Sequence, residues 1–152
     1  MSNQRFSLRD YQQEAIQNVI QARKSGYTRL LVCLPTGAGK TVIFSELCRL
    51  ARKDVLVLAH REELLGQAKE KIERMTEGQA VVDIEQGSHE ASANCNVVVA
   101  SIRSLRTERL NRLTTEHDFG LVIYDECHHA AADDNKRVLR ELGCFERNWS
   151  GT

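Results

Sequence analysis

The stretch Leu34-Pro35-Thr36-Gly37-Ala38-Gly39-Lys40-Thr41 sets glycines, a lysine and a threonine where a chain can grip phosphate. Glycine lets the backbone curl until consecutive N–H groups point inward at phosphate oxygens, and a helix that starts there adds the positive end of its dipole. In that arrangement Lys40 reaches the β- and γ-phosphates, and the Thr41 hydroxyl is a hard oxygen ligand for Mg²⁺. Thr36, Gly37, Ala38, Gly39, Lys40 and Thr41 are therefore the candidate contacts for ATP or ADP. Leu34 stands where the full pattern wants glycine. The bland alternative, a glycine-rich turn with an incidental Lys-Thr, does not explain why an apolar run precedes the loop and a helix-spaced segment follows it.

A second group sits at the end of the apolar run Leu121-Val122-Ile123-Tyr124, where Asp125 and Glu126 are adjacent. At the carboxyl end of a parallel strand, Asp125 can hold Mg²⁺ through water while Glu126 orients or deprotonates an attacking water, so Lys40, Asp125 and Glu126 form the candidate catalytic set. A solvated acidic loop is the plain alternative, but closing a buried strand with two carboxylates is costly unless they work. Cys127, His128 and His129 follow. Three adjacent residues wrap a tetrahedral ion poorly and no second ligand cluster exists, so His128 reads as a polar coupling residue and His129 as a surface or packing histidine.

These groups need a scaffold. Leu8, Tyr11, Ala15, Ile16, Val19 and Ile20 recur at three- and four-residue steps, predicting an amphipathic helix over 8–25 that stops at Gly26. Leu30 to Leu34, Val55 to Ala59, Ala80 to Ile84, Val97 to Ala100 and Leu121 to Tyr124 are short, almost continuous apolar runs, as strands covered on both faces require. Thr41 to Arg52, Glu62 to Met75, Ile102 to Leu113 and Asn135 to Leu142 carry helix-spaced apolar positions between them. The alternation predicts an α/β fold: a doubly wound, mainly parallel sheet with helices on both faces and right-handed crossovers. Glu85 to Asn94 is the expected mobile surface loop.

A chain of 152 residues makes one domain spanning 1–152, long enough for a substantial core. Its 41% hydrophobic and 28% charged residues, with a single proline, argue against disorder and fibrous classes. No apolar run approaches the length that spans a bilayer, so no membrane partner is expected. Five widely spaced cysteines without a CxxC pair fit a reducing, cytoplasmic setting. The balance of 21 basic against 21 acidic residues argues that any nucleic-acid affinity is local or shared with another domain.

Gly37-Ala38-Gly39-Lys40-Thr41 followed by Asp125-Glu126-Cys127-His128 resembles the superfamily 2 helicases and translocases, in the DECH variant of the DEAD/DEAH pattern and along the restriction-subunit and DNA-repair branch. Leu8-Arg9-Asp10-Tyr11-Gln12 is similar to the Q-motif region, which implies that Arg9 and Gln12 contact the adenine. Ala59-His60-Arg61-Glu62-Glu63-Leu64 resembles motif Ia and Ala100-Ser101-Ile102-Arg103-Ser104-Leu105 resembles motif Ib, which implies that Arg61, Ser101 and Arg103 line the groove for a nucleic-acid strand. Each segment has an ordinary reading as well, as a wet helix face or a helix start. Arg103, Arg106, Arg109 and Arg112 recur every three residues, and a solvated basic face is weighed there against nucleic-acid contact.

The resemblance implies a RecA-like nucleotide-binding domain, truncated near motif III, whose partner is a second RecA-like domain carrying arginine fingers. Such a finger is worth about 10³–10⁵ in phosphoryl-transfer rate, so the chain alone is expected to be a monomer that binds nucleotide and hydrolyses it poorly. DNA is favoured over RNA as the track. The rival expectations are a duplex-tracking translocase, a small-molecule kinase and a nucleotide-sensing module.

Overall fold

Successive side chains of a strand point to opposite faces, so a strand sandwiched between helix layers must be apolar at every step. The computed structural model, which describes residues 8–26, 39–59, 62–124 and 133–142, shows this in β1 (Asp54–Ala59), where Val55, Leu56, Val57 and Leu58 are all buried. The other described strands are β2 (Val82–Glu85), β3 (Val97–Ser101) and β4 (Phe119–Tyr124). They form a parallel sheet in the order β2-β3-β1-β4, with Leu56 in register with Val98 on one side and Val122 on the other.

The two faces bury different residues. Leu56, Leu58, Val98 and Ala100 pack with Leu110, Leu113 and Val138, which belong to α4 (Thr107–Glu116) and α5 (Asp133–Glu141). Val55, Val57, Val97, Val99 and Ile123 pack with Cys48, Leu65 and Ile72, from α2 (Lys40–Leu50) and α3 (Leu65–Met75). Helices on both faces of a parallel sheet are the doubly wound architecture that the strand–helix alternation predicts. The remaining helix, α1 (Asp10–Lys24), packs against α2 through a face that buries Ile16 and Gln12.

Several boundaries differ from the periodicity. The first helix begins at Asp10, with Arg9 at its N-cap. Helix periodicity over 102–113 masks a break: Ile102–Ser104 is a single 3₁₀ turn, Leu105 leaves the helical region, Arg106 is extended, and α4 starts at Thr107. Leu105 is fully buried, and anchoring it re-aims the chain before the helix begins. Likewise Glu62–Leu64 is a 3₁₀ turn leading into α3. The run Ala80 to Ile84 becomes Val82–Glu85, because Val81 lies outside the sheet and exposed while Glu85 pairs with Ala100 of β3. The expected strand Leu30 to Leu34 lies outside the described residues.

The connections give the sheet a working edge. Only Ala51, Arg52 and Lys53 separate α2 from β1, so the helix runs back against the strands and its N-terminus lies toward their carboxyl ends. That edge also carries the ends of β1, β2, β3 and β4. Open α/β sheets bind ligands at this edge.

Candidate functional site

Gly39 opens α2 in the left-handed region, at φ 76°. Lys40 and Thr41 are the first and second residues of the helix, so both side chains stand at its positive dipole end. Lys40 is exposed and Thr41 half-buried, and the Thr41 carbonyl accepts a 2.7 Å hydrogen bond from the Ser45 hydroxyl. The helix reaches the strands through Phe44, Leu47 and Cys48, which pack in the same cluster as Leu121 and Ile123 of β4. Lys40 and Thr41 therefore share the carboxyl edge with the end of β4, at Tyr124, immediately before Asp125 in sequence.

The start of α1 completes this corner. Gln12 is only 5% exposed, and its Oε1 accepts a 3.0 Å hydrogen bond from the N–H of Arg9, the N-cap residue, as the third residue of a capping box does. Its Nε2 lies 2.6 Å from the point that a Cβ on Gly39 would occupy. Glycine suits 39 by its φ, and a Cβ there would have to push the Gln12 amide aside. Arg9 is exposed beside it, with Nη1 donating to the Tyr11 hydroxyl at 3.4 Å. A cleft of about 290 Å³ begins at Leu8 and Val42, sequence neighbours of Arg9 and Thr41, and runs along α2 past Ser45 and Glu46 to Arg49. Of the phosphate-site and catalytic residues inferred from the sequence, the structure brings Arg9, Gln12, Gly39, Lys40 and Thr41 to one corner. Thr36, Gly37, Ala38, Asp125, Glu126 and His128 lie outside the described residues.

The motif Ia and Ib segments lie further along the same edge. Ser101 is fully buried at the end of β3, and its hydroxyl donates to Glu62 Oε1 at 3.4 Å, which joins the two segments. Arg103 is exposed; Arg61 lies outside the described residues. The arginine stripe divides. Arg103 and Arg106 are exposed, whereas Arg109 and Arg112 turn inward to the fully buried carboxylate of Glu85. For those two the reading as a solvated face is corrected: their partner is an acid.

The segment after Glu85 occupies the surface as expected, but it is tied down at many points. Gln86 and His89 exchange backbone hydrogen bonds, the Ser92 N–H donates to Asp83 Oδ2 at 2.9 Å, and His89 Nε2 meets Asp83 Oδ1 at 2.9 Å. Partial burial opposes ionisation of Asp83, yet these contacts and the Ile84 N–H together hold its carboxyl below the usual range. Sequence reading missed Glu85 and the Gln12–Gly39 contact. No local pattern signals either, since Glu85 meets arginines 24 and 27 residues away.

Residues 5–148 match the family described as type III restriction enzyme, res subunit. A provisionally assigned ATP-dependent helicase of Saccharomyces cerevisiae, IRC3, is 36% identical over 143 residues, covering 87% of this chain and 20% of the relative. Its Schizosaccharomyces pombe counterpart irc3, provisionally assigned as mitochondrial, is 34% identical over 144 residues, covering 91% of this chain and 23% of the relative. The chain thus spans about a fifth of the length of these curated relatives. Among solved structures, the UvsW helicase from bacteriophage T4 superposes with a TM-score of 0.68 at 21% identity, covering 93% of this chain and 51% of that one. A hypothetical ATP-dependent RNA helicase from Sulfolobus tokodaii gives a TM-score of 0.68 at 22% identity, covering 90% of this chain and 43% of that one. Both share the fold.

Proposed function

We propose, for a chain that belongs to the family of type III restriction enzyme res subunits, that it is the ATP-binding RecA-like half of an ATP-dependent nucleic-acid helicase. The observation that carries this reading is the corner where buried Gln12 packs on left-handed Gly39 at the head of α2. It couples a base-reading side chain to a phosphate-gripping backbone within one contact.

Each residue has a role in this reading. Arg9 and Gln12 hold the adenine, the backbone from Thr36 through Gly39 cradles the phosphates, and Lys40 places a cation on the β- and γ-phosphates. Thr41 suits Mg²⁺, being a hard hydroxyl donor at the second position of α2, and with Asp125 it would hold the ion. When bound, Mg²⁺ neutralises charge on the phosphates. Glu126 orients the attacking water, and His128 passes the state of the site to the nucleic-acid surface. A second RecA-like domain supplies the arginine finger, without which turnover falls by about 10³–10⁵. ATP then favours the closed arrangement of the two domains and hydrolysis releases it.

DNA is the proposed track. The motif Ia segment Ala59-His60-Arg61-Glu62-Glu63-Leu64 supports it, as do 26% identical relatives named as a DNA 3'-5' translocase and a DNA 3'-5' helicase, although a 30% identical mouse relative is named an RNA helicase. The test is the ATPase rate of the two-domain protein with single-stranded DNA, duplex DNA and RNA at one fixed salt concentration. Stimulation by DNA is expected; stimulation by RNA alone would reverse the choice of track, and none would overturn the motor reading. The translocase name of one relative favours a second reading, tracking along duplex without separating it, and a strand-displacement assay divides the two.

A further inference from the structure

Glu85 is the one buried acid among the described residues, with its side chain fully shielded at the carboxyl end of β2. Its Oε2 accepts from Arg109 Nε at 2.5 Å, and its Oε1 accepts from Arg112 Nη2 and from the Ala91 N–H at 2.9 Å. An isolated carboxylate is not tolerated at such a place; two guanidiniums and a backbone amide N–H partner this one. Replacing a buried ion pair by apolar side chains of similar volume is often neutral for stability, so stability alone does not account for the triad.

What it orients is the nucleic-acid end of the sheet edge. Arg109 extends Nη2 to the His89 carbonyl at 2.9 Å, which pins the turn that follows β2. That turn reaches both flanking segments: the Gly87 N–H donates to Ser104 Oγ at 3.2 Å, and Gln86 Nε2 donates to the Glu62 carbonyl at 3.5 Å. Ser101 closes the ring through Glu62. Glu85 also takes Arg109 and Arg112 out of the arginine stripe, so Arg103 and Arg106 remain exposed for phosphate.

We propose that Glu85, through Arg109 and Arg112, is a positioning residue that sets the motif Ia segment, the Gln86–His89 turn and the motif Ib segment in register for a nucleic-acid strand. The proposal rests on the helicase reading above. It predicts a defect in engaging the polynucleotide with no defect in handling nucleotide.

The experiment titrates the ATPase of the two-domain protein with a single-stranded DNA oligonucleotide, for wild type, Glu85→Gln and Glu85→Asp. Glu85→Gln is expected to raise the half-stimulating DNA concentration by about tenfold or more, as losing one charge-assisted contact does. The rate at saturating DNA and the ADP affinity stay at wild-type values, and Glu85→Asp recovers part of the loss. Amide hydrogen exchange speeds up over 86–92 and 101–106 and is unchanged over 40–50. If Glu85→Gln does not fold, Arg109→Lys, which keeps the charge but loses the second donor to His89, carries the same expectation. An unchanged half-stimulating concentration in a well-stimulated enzyme overturns the proposal, as does a parallel loss of ADP affinity with faster exchange throughout, which marks a merely structural role. Wild-type protein that no polynucleotide stimulates overturns the helicase reading itself, a result separable from either.

Discussion

Replacing Gly39 by alanine tests the corner on which the proposed nucleotide site depends. At φ 76° a side chain other than hydrogen costs about 1–2 kcal/mol. The new Cβ would also stand 2.6 Å from Gln12 Nε2. Moving the Gln12 amide aside disturbs its 3.0 Å hydrogen bond from the Arg9 N–H, a contact worth about 0.5–1.5 kcal/mol. Together the two terms come to about 1.5–3.5 kcal/mol, which for a domain of this size lowers Tm by about 3–14 °C. Thermal unfolding followed by circular dichroism reads the first effect, and titration with fluorescent ADP reads the accompanying loss of affinity. A double-mutant cycle separates the causes. In a Gln12→Ala background, Gly39→Ala keeps its backbone cost and loses the collision, so the pair couples by about 1 kcal/mol. A Gly39→Ala protein with wild-type Tm and ADP affinity, or a strictly additive cycle, would refute the reasoning.

Lys40→Ala removes a charge-assisted phosphate contact and should weaken ADP binding by about ten- to a hundredfold by calorimetry; unchanged binding would remove Lys40 from the phosphate site. Glu126→Gln should leave ADP binding intact and abolish turnover in the two-domain protein, so retained turnover would dismiss its role as the water-orienting group. Burial pushes the Cys48 thiol up to about 12, and burial followed by the charges of Asp83 and Asp54 pushes Cys95 up to about 11. Because the thiolate is the nucleophile, both should resist iodoacetamide in the native state at pH 8 and react after unfolding; native labelling at the rate of an exposed thiol, read by mass spectrometry, would contradict their burial.

Much of the architecture is legible in the run of apolar residues. Val55 to Leu58 and Val97 to Ala100 are apolar at every position, a pattern that only two covered faces require, and these runs emerge as the central strands β1 and β3. Helix periodicity is a poorer guide at its ends. Ile102 to Leu113 keeps a helical spacing of apolar residues through a 3₁₀ turn and a two-residue non-helical link, because the core selects which side chains are buried and tolerates more than one backbone path between them.

The sequence by itself sets Gly39, Lys40 and Thr41 side by side, a local arrangement that the structure keeps at the head of α2. It also determined the parallel sheet, which follows from the pattern of apolar runs. Only tertiary structure decided which polar groups meet. Gln12 reaches Gly39 because α1 packs on α2, and Glu85 draws Arg109 and Arg112 inward because the fold brings the end of β2 within reach of long side chains from α4. Spacing along a chain reports which face of an element a residue occupies; the partner across a layer is set by packing, and burial makes that partner matter, because an unpaired charge or amide in the interior costs more than the fold can spare.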